Sequence, residues 1–210
     1  MRTLFCLILL VSSVVGVCQE AKPFHLNTKR QKTRVFIICR GTSAKANLIV
    51  RQFNLMDSNT THIAIGYVHN KSLRIYGVED SPGSKSALKY DSLSSYTGSR
   101  DVLYWSVWEF SVKPGVWRRV KKACTGYERR RIVFDYDFRL DNPDTLYCSE
   151  FCANVLNKAR IKRLRIYPNL TQLNGLFASI LNRKELEYYP VDFFQTTSLF
   201  AKVYQWKKSE

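Results

Sequence analysis

The spacing of apolar residues along this chain changes several times, and each change marks an element. Leu4 to Val17 is an almost unbroken apolar run, and Gln19 to Lys32 is polar and basic. Arg34 to Cys39 reads Arg-Val-Phe-Ile-Ile-Cys, β-branched and apolar at successive positions, which predicts a buried strand. Arg40 to Ser43 turns the chain, and Ala44 to Phe53 predicts a helix, with Ala46, Ile49, Val50 and Phe53 at helical spacing. Thr61 to Val68 and Leu73 to Val78 read as strands joined by a turn at His69-Asn70-Lys71-Ser72. Pro82 to Ser99, rich in Ser, Gly and Tyr, reads as loop, and Val102 to Phe110 as a strand. Pro114-Gly115 opens a basic amphipathic helix running to Arg130, with Val116, Val120, Ala123 and Tyr127 three and four positions apart. Ile132 to Phe138 is extended, and Cys148 to Ala159 is a helix with Phe151, Cys152, Val155 and Leu156 inward. Leu170 to Leu181 reads as a short helix or turn, and Leu199 to Trp206 as a final strand. Strands and helices mix without strict βαβ alternation, which predicts an α+β fold, an antiparallel sheet or small barrel packed with helices.

Composition adds compartment and partners. With 210 residues, 45% of them hydrophobic, including 12 Tyr and 12 Phe, the chain can bury a core. The expected organisation is a signal peptide over 1–18, a lead-in over 19–33 and one domain over 34–210. Arg2, the apolar run and the small residues Gly16 and Cys18 give the leader its secretory pattern. The protein is therefore expected outside the cytoplasm, periplasmic or extracellular, with lipidation at Cys18 as an alternative end to the leader. No other segment is long and apolar enough to predict a transmembrane span. The net charge is +16, and basic residues crowd into 118–122, 129–131 and 158–165. On an exported protein these suit an anionic envelope polymer or lipid head groups, or are simply solvated helix faces. Export and the lack of aromatic–basic interleaving argue against nucleic acid. Outside the leader the cysteines are Cys39, Cys124, Cys148 and Cys152. One bridge, such as Cys39–Cys124, is compatible with an oxidising compartment, though the sequence does not assign it.

Candidate chemistry centres on Cys148, at the boundary between the extended acidic segment from Phe134 to Asp144 and a helix. A helix start presents unpaired N–H groups and the positive end of the dipole, which favours thiolate. A histidine beside it would make a nucleophile–base pair. His62 opens its strand. A two-residue loop at Asn70-Lys71 pairs His69 with Ser72 and, continued back along the hairpin, sets Glu79 opposite His62, where its carboxylate could orient the imidazole. A slip of one residue would substitute Asp80. The backbone N–H of Cys148 is the natural oxyanion donor. The Tyr147 hydroxyl could add to it, or Tyr147 could pack as an ordinary aromatic. His62 and His69 lie seven positions apart and point to opposite faces, which argues against a zinc site built from them with Cys148 and Cys152. His25 lies in the lead-in and Cys152 in the core.

Thr61-His62-Ile63-Ala64-Ile65 resembles the Ser-His-Val-Gly-Ile stretch of permuted papain-like enzymes of the NlpC/P60 superfamily. Val78-Glu79 resembles the acidic position closing their next strand. Tyr136 to Asn142, followed by Leu146-Tyr147-Cys148-Ser149-Glu150-Phe151, resembles the acidic segment and nucleophile motif of the YiiX/YaeF-like amidases. The likeness spans Arg34 to Ala159, with a weaker echo at Pro190-Val191-Asp192. It departs where Arg34-Val35 stands for the usual Gly-Asp and where Cys152 replaces an apolar residue. The resemblance implies a circularly permuted papain-like fold without a cofactor, with Cys148 as nucleophile, His62 as base and Glu79 as orienting carboxylate. The implied reaction is hydrolysis of an amide through an acyl-thioester, on a cell-wall peptide, an N-acyl amino compound or a lipid. Acyl transfer on the same fold and a non-catalytic polymer-binding module are the other two readings.

Overall fold

The computed structural model describes Phe24, residues 33–44 and residues 47–209. The leader expected over 1–18 and His25 lie outside the described residues. In chain order the elements are β1 (Arg34–Thr42), α1 (Asn47–Gln52), β2 (His62–His69), β3 (Ser72–Val78), β4 (Leu88–Asp91), α2 (Leu93–Thr97), β5 (Val102–Ser111) and α3 (Pro114–Glu128). There follow β6 (Val133–Phe134), β7 (Thr145–Leu146), α4 (Cys148–Lys158), β8 (Asn169–Gln172), α5 (Gly175–Leu181), β9 (Glu185–Tyr188), a 3-10 turn (Phe193–Thr196) and β10 (Ala201–Lys207). Six strands form one sheet in the order β10-β5-β1-β2-β3-β4, antiparallel at every pairing. The fold is α+β. The sheet is open, with β10 and β4 at its edges, so the small-barrel alternative does not hold.

The central strands lack polar alternation because both faces are covered. Val35, Ile37 and Cys39 of β1 and Ile63, Ile65 and Tyr67 of β2 share a core with Val120, Cys124 and Tyr127 of α3 and Phe151, Cys152, Val155 and Leu156 of α4. The intervening residues Phe36, Ile38, Ala64 and Val68 pack on the other face with Tyr96 of α2 and with Trp105 and Val107 of β5. A run apolar at every position is what a strand buried on both faces requires. α3 begins with Pro114 at its first turn, where a missing N–H costs nothing.

The β2–β3 hairpin turns on Asn70 (φ 49°) and Lys71 (φ 62°), both left-handed, the geometry that matches the twist of a two-residue hairpin. It pairs His69 with Ser72 and Ile65 with Tyr76. Beside β1, a Cβ at Gly41 would collide with the carbonyl oxygen of Asn59, so only glycine lets the 54–60 segment pass there.

Four segments differ from the sequence expectation. β1 continues through Arg40 and Gly41 to Thr42, where the sequence predicts a turn, and pairs there with β5. The 82–99 segment is not all loop: it contains β4, which pairs with β3, and α2, capped by the Ser92 hydroxyl accepting from the Ser95 N–H at 3.1 Å. Its serine content hides Leu88, Leu93 and Tyr96, which pack. Only Val133–Phe134 of the 132–138 segment is strand. Beyond it the Asp135 carboxylate accepts from the N–H groups of Asp137 (2.9 Å) and Arg139 (2.6 Å) and coils the acidic segment into a turn. The 170–181 segment splits into β8, paired with β9, and α5. The suggested Cys39–Cys124 bridge is also corrected. Cys39, Cys124, Cys148 and Cys152 are all free and buried, Cys39 on β1 and Cys124 on α3. Among the described residues no helix is long and apolar enough to cross a membrane.

Candidate active site

The site forms where the start of β2 meets the start of α4. The short parallel pairing of β6 with β7 delivers the chain to Tyr147, whose extended backbone (φ −107°, ψ 171°) makes it the N-cap, so Cys148 is the first helical residue. Apolar Phe151, Cys152 and Val155 hold α4 against the sheet. This brings the Cys148 sulfur to the end of β2, where the N–H groups of Ile63 and Ser149 point to it and His62 contacts it through charge and hydrogen bonding.

Behind His62 stands a carboxylate. Glu79 follows β3 directly, and its Oε1 lies 3.4 Å from His62 Nε2. This is a charge contact, since Nε2 has no well-aligned hydrogen-bond partner. Asp80, the partner a slipped hairpin would supply, instead accepts from the Tyr136 hydroxyl at 2.5 Å. The same Glu79 oxygen accepts from Arg40 Nη2 at 2.9 Å. Arg40 also donates from Nη1 to the Tyr96 carbonyl at 3.0 Å, and its guanidinium lies 4.5 Å from the Tyr96 ring centre. Tyr96 therefore roofs both Arg40 and His62, the two rings 6.0 Å apart.

Electrostatics follow from this packing. Burial pushes the Cys148 thiol up, but the charge and hydrogen bond of His62, together with the two N–H groups, outweigh it and leave the pKa below that of an ordinary thiol. Burial alone would lower His62. The charge and hydrogen bond of Cys148 and the nearby Glu79 carboxylate outweigh it and raise the imidazole well above its ordinary value. Glu79 is pushed up by burial, yet His62 and Arg40 bring it down to about 2. The other cysteines shift the opposite way: burial pushes Cys39 up to about 12 and also raises Cys124 and Cys152. Cys148 is thus the one described cysteine whose pKa is shifted below the ordinary thiol value.

Cys148, His62 and Glu79 form one contact group. Tyr147 does not join it. Its hydroxyl accepts from the Tyr189 N–H at 2.7 Å and its ring packs edge-on to Phe138, the contacts of a packed aromatic. His69 stands at the other end of β2, near Lys121. Sequence reasoning missed Arg40 and Tyr96. Arg40 reads as the start of a turn, whereas β1 continues through it to Thr42, and its partner depends on the β1–β2 register. Asp192 was noticed only as part of an echo. Fully buried, it accepts from the N–H groups of Leu55, Met56 and Asp57 at 2.6–3.0 Å and fastens the segment beside β1.

No family model and no curated protein matches this chain. Among solved structures it is similar to the crystal structure of the metalloprotein YiiX from Escherichia coli O157:H7, with a TM-score of 0.60 and 15% sequence identity over 84% of this chain and 99% of that one. At that identity the likeness is one of fold: this chain is built on an α+β architecture like that of YiiX.

Proposed function

We propose that this protein is a cysteine hydrolase of the permuted papain-like type, cleaving an amide through an acyl-thioester on Cys148. The observation that carries the reading is the Cys148–His62 pair, with the thiol lowered, the imidazole raised and Glu79 behind the ring. The thiolate attacks the carbonyl carbon and a C–S bond forms. The negative charge on the oxygen is met by backbone N–H at the start of α4. As the C–N bond breaks, imidazolium passes its proton to the leaving amine. Neutral His62 then takes a proton from water, the resulting hydroxide attacks the thioester, the C–S bond breaks, and the acid leaves with the thiolate–imidazolium pair restored. With Nε2 turned to Glu79, Nδ1 is the nitrogen left to serve these transfers.

Attack by an amine in place of water would make the same site an acyltransferase, and the acceptor that releases the thioester faster distinguishes the two. A non-catalytic module docking its basic surface on anionic polymer is the third reading. Several cations there already have partners within the protein: Arg119 donates to the Ala159 carbonyl, Arg130 pairs with Asp144, and Lys158 donates to the Tyr127 hydroxyl. Export rests on the 1–18 pattern alone.

YiiX is described as a metalloprotein. The donors here do not suit a metal ion: the Glu79 oxygen nearest His62 is held by Arg40, whose fixed positive charge stands where a cation would have to sit, and no group of three or more His, Cys, Asp or Glu among the described residues is arranged to hold one.

The test is intact-protein mass spectrometry after incubation with a panel of N-acyl amines and cell-wall peptides. An acyl mass on Cys148, absent in Cys148→Ala, is expected. Turnover that survives Cys148→Ala would refute the reading.

A further inference from the structure

α4 carries a second reactive group that the chemistry above leaves unused. Glu150 lies two residues beyond Cys148 and so projects from nearly the opposite side of the helix. It is 3% exposed. The Tyr147 N–H and the Asn154 side chain hold its carboxyl, while Oε2 is buried with no hydrogen-bond partner. It lines a cavity of about 260 Å³ together with Asn154, Asp141, Tyr127, Tyr189 and Lys158. That volume lies below the usual range for drug-sized ligands, so the occupant is small.

The cavity's charges are unbalanced. Lys158 is the cation in its lining, but its ammonium donates to the Tyr127 hydroxyl at 2.6 Å and sits 4.1 Å from that ring's centre. Burial and the neighbouring charge of Asp135 push Glu150 up to about 8, the response of a carboxyl with no positive partner of its own. Asp141 adds a further acid. An unpaired buried carboxyl oxygen is costly unless something donates to it.

We propose that this cavity binds a small primary ammonium compound, its charged head at the Glu150 carboxyl and its alkyl stem along Tyr189. An ammonium brings three donors and a positive charge that favours the ionised form of the Glu150 carboxyl. The competing reading is that Glu150 only closes the first turn of α4 by accepting from the Tyr147 N–H. The proposal stands apart from the hydrolase reading, because the cavity lining excludes Cys148, His62 and Glu79.

The experiment is calorimetric titration of the full chain with n-butylammonium chloride, and with tetramethylammonium chloride as a cation that has no N–H to donate. Saturable millimolar binding is expected for the wild type and equally for Cys148→Ala. Glu150→Gln is expected to weaken it by at least about tenfold, and Asp141→Asn by a smaller factor. Tetramethylammonium is expected not to compete. No saturable binding, undiminished binding in Glu150→Gln, or equal binding of tetramethylammonium overturns the proposal. Should Glu150→Gln fail to fold, butylammonium-induced amide shifts in the wild type decide: shifts centred on Asn154 and Tyr189 support the site, and shifts elsewhere refute it.

Discussion

Arg40 stands directly opposite His62 across the β1–β2 ladder, and both side chains meet the same oxygen of Glu79. The cation fixes the carboxylate, and the carboxylate faces the imidazole. Arg40 acts on His62 in two opposed ways: its charge lowers the imidazole pKa directly, while it anchors the group that raises it. Arg40→Leu leaves Glu79 with a single partner in a mostly buried position. The expected cost is about 2 kcal/mol, read as a lower urea midpoint with unchanged slope. Unchanged stability would mean that Glu79 is held by something else.

Glu79 makes stability depend on acidity. Its pKa in the folded protein, about 2, lies below the ordinary carboxyl value of 4.5. Its contribution is therefore fully present above pH 4.5 and is lost as pH falls toward 2. Glu79→Gln is expected to lower the melting temperature at neutral pH, with the gap to wild type closing between pH 4.5 and 2. A gap that stays constant over this window would contradict the pairing.

Asp192 is a structural carboxylate that anchors backbone N–H groups of residues 55–57. Asp192→Ala removes the acceptor for three backbone N–H groups of residues 55–57. A loss of about 3 kcal/mol is expected, with Asp192→Asn recovering part of it, and with faster amide exchange at Leu55 to Asp57. Exchange unchanged at those amides would remove Asp192 as their anchor.

Much of this architecture was legible in the sequence, and the gaps have physical causes. The run from Val35 to Cys39 announced a strand covered on both faces, and Pro114 announced the start of α3. The turn at Asn70-Lys71 carried the register that sets Glu79 near His62. Contacts made by long-range pairing were not legible. Arg40 meets His62 only because β1 lies beside β2, and nothing local to Arg40 encodes that. Tyr96 was hidden in a serine-rich stretch whose helix exists because Tyr96 and Leu93 pack on the sheet. β9 was missed because its alternation, Glu185-Leu186-Glu187-Tyr188, spans only four residues.

Export favours disulfide bridges, but geometry decides them, and the four described cysteines are free. Cys39, Cys124, Cys148 and Cys152 are each expected as free thiols when peptides are mapped without reductant after trapping under denaturing conditions. Reductant is expected to leave the melting temperature of the folded protein unchanged. A peptide pair linked through Cys39 and Cys124 would contradict the packing seen here.

The most direct measurement is the pH profile of alkylation by iodoacetamide, followed by peptide mapping. Thiolate on Cys148 is favoured below the ordinary thiol range, and imidazolium on His62 persists above the ordinary histidine range. The expected result is rapid labelling of Cys148 alone at mildly acidic pH, a plateau through neutrality, and a further change only as His62 loses its proton. His62→Ala is expected to slow the acidic-range rate by at least about tenfold. Labelling that begins only in the ordinary thiol range, or that proceeds unchanged in His62→Ala, would contradict the nucleophile–base pair.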